Sequence, residues 1–311
     1  MTSLGLTWIP LDTWIVVTAA LAAMACALPG VFLVLRRMSM MGDAISHAVL
    51  PGLAGAFLFT GMRTSGVMFL GAAAVAIAAT LLIHGVHRWG NVESGAAMGV
   101  VFSALFALGL VMLHHATHTQ RVDLDADCVL YGSLEMTVLD TWNVLGIEAP
   151  RAAFVLGGAL LLNALFVVVL FKELRLSSFD PGLAKALGFR PGVMHVGLMV
   201  VVAITTVAAF EAIGSILVIA MLIVPAATAL LLVHRLAWVI VVSLLFAIAS
   251  AGLGHLAAIG VPPMFGFVDT TTAGSMATVA GVLFAIVLVG TAVWRSYARR
   301  TRRVATPSNP A

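Results

Sequence analysis

Charge is scarce in this chain. Of 311 residues only 9% are Asp, Glu, Lys or Arg, against about 25% in an ordinary soluble domain, while 62% are hydrophobic. A water-soluble fold this apolar lacks the polar side chains to cover its surface, so that class is excluded. Cysteine is scarce too. Cys26, in an apolar run, and Cys128, in a polar connection, form no disulfide or metal-binding pattern. The phosphate loop G-x-x-x-x-G-K-S/T is missing, so any nucleotide chemistry of that kind lies in another chain. H-E-x-x-H and G-x-S-x-G are also missing, and with them the metal-bound water or serine nucleophile of an intramembrane hydrolase. No internal repeat with paired broken helices argues for an ion-coupled secondary transporter. The opening MTSLGLTWIPLD lacks the basic stretch of a cleavable signal peptide.

What is present is apolar runs. Nearly charge-free stretches cover 13–35, 43–60, 64–83, 94–113, 152–171, 193–210, 212–233, 236–254 and 270–294. Each approaches the roughly 20 residues that a helix needs to cross the bilayer core. Backbone groups in lipid must be satisfied within the segment, so these are helices. The fold class expected is an all-α, polytopic transmembrane bundle of about nine spans. The stretch 193–233 is too long for one crossing, and Glu211 followed by Gly214 offers the break.

Lys and Arg are retained on the cytoplasmic side of membrane proteins. With the N-terminus outside, the cytoplasmic connections hold 13 of the 16 cations: Arg36, Arg37, Arg88, Lys172, Arg175, Lys185, Arg190, Arg235, Arg295, Arg299, Arg300, Arg302 and Arg303. The outer connections hold Arg63, Arg121 and Arg151. This split predicts an outer N-terminus and a cytoplasmic C-terminus. It also accounts for the net charge of +3 and pI near 9.3 without a nucleic-acid partner. The expected division is a membrane domain over 1–295 and a basic, disordered cytoplasmic tail over 296–311.

Three stretches carry candidate chemistry. In LRRMSMMGDAISHAVLPGLAG, Asp43 and His47 stand four residues apart, on one helix face and about 6 Å apart along its axis. A carboxylate with an imidazole suits Mn²⁺, Fe²⁺ or Zn²⁺, and ionisable groups inside a span usually face a cavity or a partner. The plainer alternative is a helix cap at Asp43 and a hydrogen bond from His47 to a neighbour. Pro51, four residues on, frees the His47 carbonyl and bends the helix, and Gly42, Gly52 and Gly55 permit close helix approach. In FKELRLSSFDPGLAKALGFRP, Asp180 caps a short helix, Pro181 opens it and Gly188 ends it. Leu183, Ala184 and Leu187 share one face. So short a helix is unstable alone, and it docks either on its own bundle or on a separate soluble partner. The third stretch, HHATHTQRVDLDADCVLYGSLEMTVLD, gathers His114, His115 and His118 with Asp123, Asp125 and Asp127. Such a cluster attracts a cation or meets a donor protein, and a solvated loop explains it equally well. Glu211, His255 and Asp269 fall near outer span ends, where interfacial hydrogen bonding is the simpler role, and their function stays open.

These stretches resemble, over essentially the full length, the permease subunits of bacterial ABC importers for zinc, manganese and iron. LRRMSMMGDAISHAVLPG, VDLDADCVLYGSL (with Tyr131 where the family has Phe), KELRLSSFDPGLAKALGF and GSILVIAMLIVPAATALLL, with its central Pro225, carry the resemblance in order. The chain departs from the family's commoner pattern at VPPMFGFVDTTTAGSMATVAG, where many relatives have a short Pro-Thr-Gly stretch. The resemblance implies an inner-membrane transporter subunit that is itself no enzyme and holds no permanent cofactor. Its cargo is a divalent ion, manganese or zinc before iron, in a path lined by Asp43 and His47. The segment Phe179, Asp180, Pro181, Leu183, Ala184, Leu187 and Gly188 would couple to a separate ATP-binding subunit. A second permease, identical or paralogous, would pair about a two-fold axis, and an extracytoplasmic metal-binding protein would deliver the ion.

Overall fold

The computed structural model describes residues 9–60, 65–120, 134–144, 147–264 and 270–304. In chain order these form α1 (Pro10–Leu35), α2 (Met41–Thr60), α3 (Ser65–Trp89), α4 (Ser94–Gln120) and a turn of helix α5 (Leu134–Thr137). A small hairpin follows, β1 (Thr141–Val144) paired antiparallel with β2 (Ile147–Pro150), Trp142 opposite Ala149. Then come α6 (Arg151–Val169), α7 (Phe171–Phe179), α8 (Pro181–Ala186), α9 (Pro191–Leu232), α10 (Leu236–Met264) and α11 (Thr272–Val304). Among the described residues eight helices are long and apolar enough to cross a membrane: α1, α2, α3, α4, α6, α9, α10 and α11. Among the described residues the hairpin is the one departure from helical elements, in a connection where no strand was expected.

The long apolar stretch after residue 190 is a single run of 42 residues, α9. At 1.5 Å per residue it would reach about 63 Å, twice the hydrocarbon thickness. It is broken at Gly214, whose φ of 74° and ψ of 166° lie outside the helical region. Only a residue without Cβ adopts that backbone at low cost. The break stands three residues after Glu211, where the sequence placed it.

Helix α1 lies at the centre, packed between α9, α10 and α6. It can be enclosed because its inner turns are small: Ala19, Ala22, Ala23, Ala25, Cys26 and Ala27 are all buried. Lipid offers hydrocarbon as good as any side chain, so association in a bilayer depends on close backbone approach and on internal hydrogen bonds. Both are present. Asn163 of α6 is fully buried, and its Nδ2 donates to the Ala25 carbonyl (2.8 Å) and to Thr205 Oγ1 (2.9 Å), tying α6, α1 and α9 together. Helix α2 packs between α3 and α4, and at its crossing with α3 the glycines Gly52 and Gly71 meet. A Cβ on Gly52 would stand 2.6 Å from the Gly71 carbonyl oxygen and 2.8 Å from Ala72 Cα. The outer helices present the opposite pattern, with Leu161, Leu165 and Val168 on α6 and Ile286, Val289 and Val293 on α11 exposed.

The Gly52 crossing generates a contrast within one helix. Gly52→Ala forces two backbones apart and is expected to cost about 1–3 kcal/mol, as overpacking does. Gly55→Ala meets only the mobile Met112 Cε at 3.3 Å and is expected to leave the thermal midpoint in detergent nearly unchanged. Unfolding curves of the two variants check this, and equal midpoints would refute the crossing.

Candidate functional site

Asp43 and His47 lie in the first two turns of α2, immediately after the connection that leaves α1. Asp43 is the third residue of the helix, so it is not the cap itself, although its charge there suits the positive helix end. Its Oδ1 stands 3.4 Å from His47 Nε2, with the carboxylate 41% and the imidazole 26% exposed. Two donors about 2.1 Å from one tetrahedral ion stand about 3.4 Å apart. The separation of the pair matches that of two donors on one such ion.

What holds the imidazole comes from another helix. Phe102 and Phe106, one turn apart on α4, close on His47 with ring centroids at 5.1 Å and 5.4 Å, tilted by 54° and 83°. They also stack on each other at 6.0 Å. His47 Nδ1 is buried against them with no hydrogen-bond partner, which leaves Nε2 as the accessible donor beside Asp43. Sequence reading missed both phenylalanines. Their spacing of four on an apolar helix was visible, but nothing local ties them to His47. Among the described residues no cluster of three or more His, Cys, Asp or Glu is placed to hold a metal ion. An ion at Asp43 and His47 would complete its shell from water, carbonyls or a second chain.

The short helix expected from the Asp-Pro and Gly pattern is present as α8. Asp180 Oδ1 accepts from the Leu183 amide at 2.9 Å, Pro181 is the first helical residue, and Gly188 ends the turn at φ 84°. Ala184 is buried against the bundle. Its neighbours are not: Leu183 is 47%, Leu187 60% and Phe179 61% exposed. A cleft of about 1060 Å³ beside α7 is lined by Lys172, Arg175, Phe179, His234 and Arg235 among others, with no carboxylate in its wall. This end of the molecule thus offers apolar side chains ringed by cations.

At the opposite end polar residues from several elements meet. Glu211 Oε1 lies 3.7 Å from Arg151 Nη2, and Arg151 also reaches Asp140 at 3.6 Å and covers the Trp142 ring at 5.4 Å. His255 stands 3.5 Å from Asp12 Oδ1 through Nε2 and 3.2 Å from Thr272 Oγ1 through Nδ1. Glu135 of α5 accepts from the Thr272 amide at 2.7 Å. These contacts tie Glu211 to Arg151 and buried His255 to Asp12 and Thr272. Asp123, Asp125, Asp127 and Asp269 lie outside the described residues.

The profile of the ABC 3 transport family matches residues 10–291. The chain is 40% identical over 275 residues to the manganese transport system membrane protein MntD of Bacillus subtilis, covering 88% of this chain and 90% of that one. It is 40% identical over 273 residues to the zinc transport system membrane protein TroD of Treponema pallidum, covering 88% and 72% respectively. Among solved structures it is similar to PsaBC from Streptococcus pneumoniae in complex with Fab, with a TM-score of 0.71 at 30% identity over 91% of this chain and 92% of that chain.

The cap of α8 can be tested by itself. Asp180→Ala removes the side-chain acceptor from a six-residue helix, at an expected cost of about 1 kcal/mol. Amide hydrogen exchange should rise across 181–186 while the spanning helices keep their protection. Unchanged exchange there would show that the cap does not hold the helix.

Proposed function

The chain belongs to the ABC 3 transport family, and from that premise we infer that it is the membrane-spanning subunit of an ATP-driven importer of manganese, zinc or iron. It is a multi-pass membrane protein and not the ATPase: hydrolysis belongs to a partner chain, and a binding protein delivers the cargo. One observation carries the assignment of the path. Asp43 and His47 form the two-donor pair of α2, with the imidazole clamped by Phe102 and Phe106 so that one nitrogen faces the carboxylate.

Two ligands per chain suit transport. A site that must release its ion on every cycle needs enough affinity to select and too little to trap. A closed structural zinc site uses four protein ligands. Pairing two copies, or two paralogous permeases, about a two-fold axis would bring the second set of donors. Mn²⁺, Fe²⁺ and Zn²⁺ all accept a carboxylate with an imidazole, and the similarity to MntD and TroD favours manganese or zinc.

The break at Gly214 supports nine crossings, with residues 191–213 and 215–232 as separate spans. An odd number puts the termini on opposite sides, and the sorting of Lys and Arg favours an outer N-terminus and a cytoplasmic C-terminus in a bacterial inner membrane. On that reading α8 lies on the cytoplasmic face. Its exposed Leu183 and Leu187, with Phe179, are the knobs for a groove in the ATP-binding subunit. Closure of two such subunits on ATP would move both α8 helices and switch which side the site faces. Asp123, Asp125 and Asp127 remain candidates for meeting the donor protein.

Metal uptake in cells carrying the complete transporter tests the path. Asp43→Ala and His47→Ala should each cut uptake of labelled manganese or zinc by at least roughly tenfold, since a charge-assisted ligand is lost, at unchanged membrane abundance. Uptake equal to wild type in both would move the path elsewhere. For the coupling surface, Leu183→Asp should abolish stable association with the ATP-binding subunit in detergent. Co-purification at the wild-type ratio would overturn that role.

A further inference from the structure

The connection between α1 and α2 is five residues long and unusually tight. Arg36 and Arg37 donate backbone N–H bonds to the Phe32 and Val34 carbonyls (3.0 and 3.1 Å), Met38 bonds back to Leu33 (2.9 Å), and Met41 bonds to Met38 (3.0 Å). Arg37 is held at φ 58°, a left-handed backbone uncommon for a side chain of its size. Met38 and Met41 are buried. Little play remains between Arg36 and the first turn of α2, which carries Asp43.

The Arg36 side chain points across the molecule, to the end of α7. Its Nε donates to Ser178 Oγ at 3.0 Å and its Nη2 to Ser177 Oγ at 2.7 Å, across more than 140 residues of sequence. Both hydroxyls in turn donate to the Leu174 carbonyl, Ser178 at 2.6 Å and Ser177 at 3.3 Å, so their lone pairs are aimed at the guanidinium. Ser177 is buried and Leu174 fully so. From Ser178 the chain passes directly through Phe179 to Asp180, which donates its amide to Leu176 at 2.9 Å and caps α8. No carboxylate among the described residues lies within ion-pair distance of Arg36, and burial pushes its guanidinium pKa down from the ordinary value.

We propose that Arg36 is a positioning residue that transmits movement of α8 to the Asp43–His47 pair, gripping α7 through Ser177 and Ser178. The proposal rests on the reading of α8 as the coupling helix and of Asp43 and His47 as the path. Each neighbour has a reason in this role. The planar guanidinium spans two hydroxyls at once, which a lysine ammonium cannot reproduce in the same plane. Hydroxyl partners let the grip change register during a cycle, where a buried ion pair would resist being parted. The rigid α1–α2 turn then delivers the displacement to α2 within seven residues of Arg36.

The test uses the complete transporter, with its ATP-binding subunit and loaded binding protein, in proteoliposomes. ATP hydrolysis and labelled manganese or zinc uptake are measured together. Arg36→Ala is expected to keep basal hydrolysis but to lower the ions moved per ATP by roughly tenfold, the scale of an allosteric coupling. Ser177→Ala with Ser178→Ala, which preserves packing volume, should do the same. Adding Arg36→Ala to it should bring little further loss, because the groups act as one unit. Arg36→Lys should fail to restore the ratio. Wild-type ions per ATP in Arg36→Ala would overturn the proposal. So would hydrolysis and uptake falling together with a lowered thermal midpoint, since that is the behaviour of a structural brace. Asp43→Ala in the same vesicles separates the layers: if it transports normally the path assignment fails, while the ions-per-ATP ratio of the Arg36 variants still decides the grip.

Discussion

In hydrocarbon a peptide group has no water to bond with, so nearly every amide of this chain must find its acceptor within its own helix. That constraint explains why eight long helices dominate the described residues, and it makes every departure from a helix informative. The break at Gly214 uses a backbone open only to glycine. The α1–α2 connection closes its own hydrogen bonds with a left-handed arginine. The first divides an overlong helix, and the second leads into the helix that carries Asp43 and His47.

The same solvent removes the usual hydrophobic drive for helix association, so packing must come from shape and from a few polar contacts. Alanine turns on α1, the Gly52–Gly71 crossing and the Asn163 bonds to Ala25 and Thr205 supply it. A buried polar side chain is tolerable because each of its bonds is met by a neighbour. The Asp43–His47 pair is only partly satisfied from within the bundle. His47 has a buried nitrogen without a partner and an accessible one beside a carboxylate. That arrangement is what the proposed ion path rests on.

At the Lys- and Arg-rich end the economy is different. Apolar residues on a helix only six residues long lie open beside a cationic cleft. Such a surface is costly to leave wet and natural to cover with a protein partner. Through Ser177, Ser178 and Arg36 it is joined to the turn that leads into α2, so the exposed helix and the two-donor pair belong to one connected piece of the bundle.

Much of this was legible in the residues alone. The membrane class, the approximate spans, the break after Glu211, the capped helix at Asp180 and the Asp43–His47 face all follow from properties carried by neighbours in the chain: hydropathy, the 3.6-residue period, proline and glycine. Lipid enforces local hydrogen bonding so strictly that local pattern becomes structure. The hairpin at 141–150 escaped that logic, because it falls in a polar connection where the constraint is absent. The phenylalanines on His47, the serines under Arg36, the carboxylate beside His255 and the knot at Asn163 are pairings between distant parts of the chain. Period and hydropathy say which face of a helix is apolar, not which helix lies against it. Only the packing of α2 on α4 set His47 against Phe102 and Phe106, and only the docking of α7 gave Arg36 something to hold.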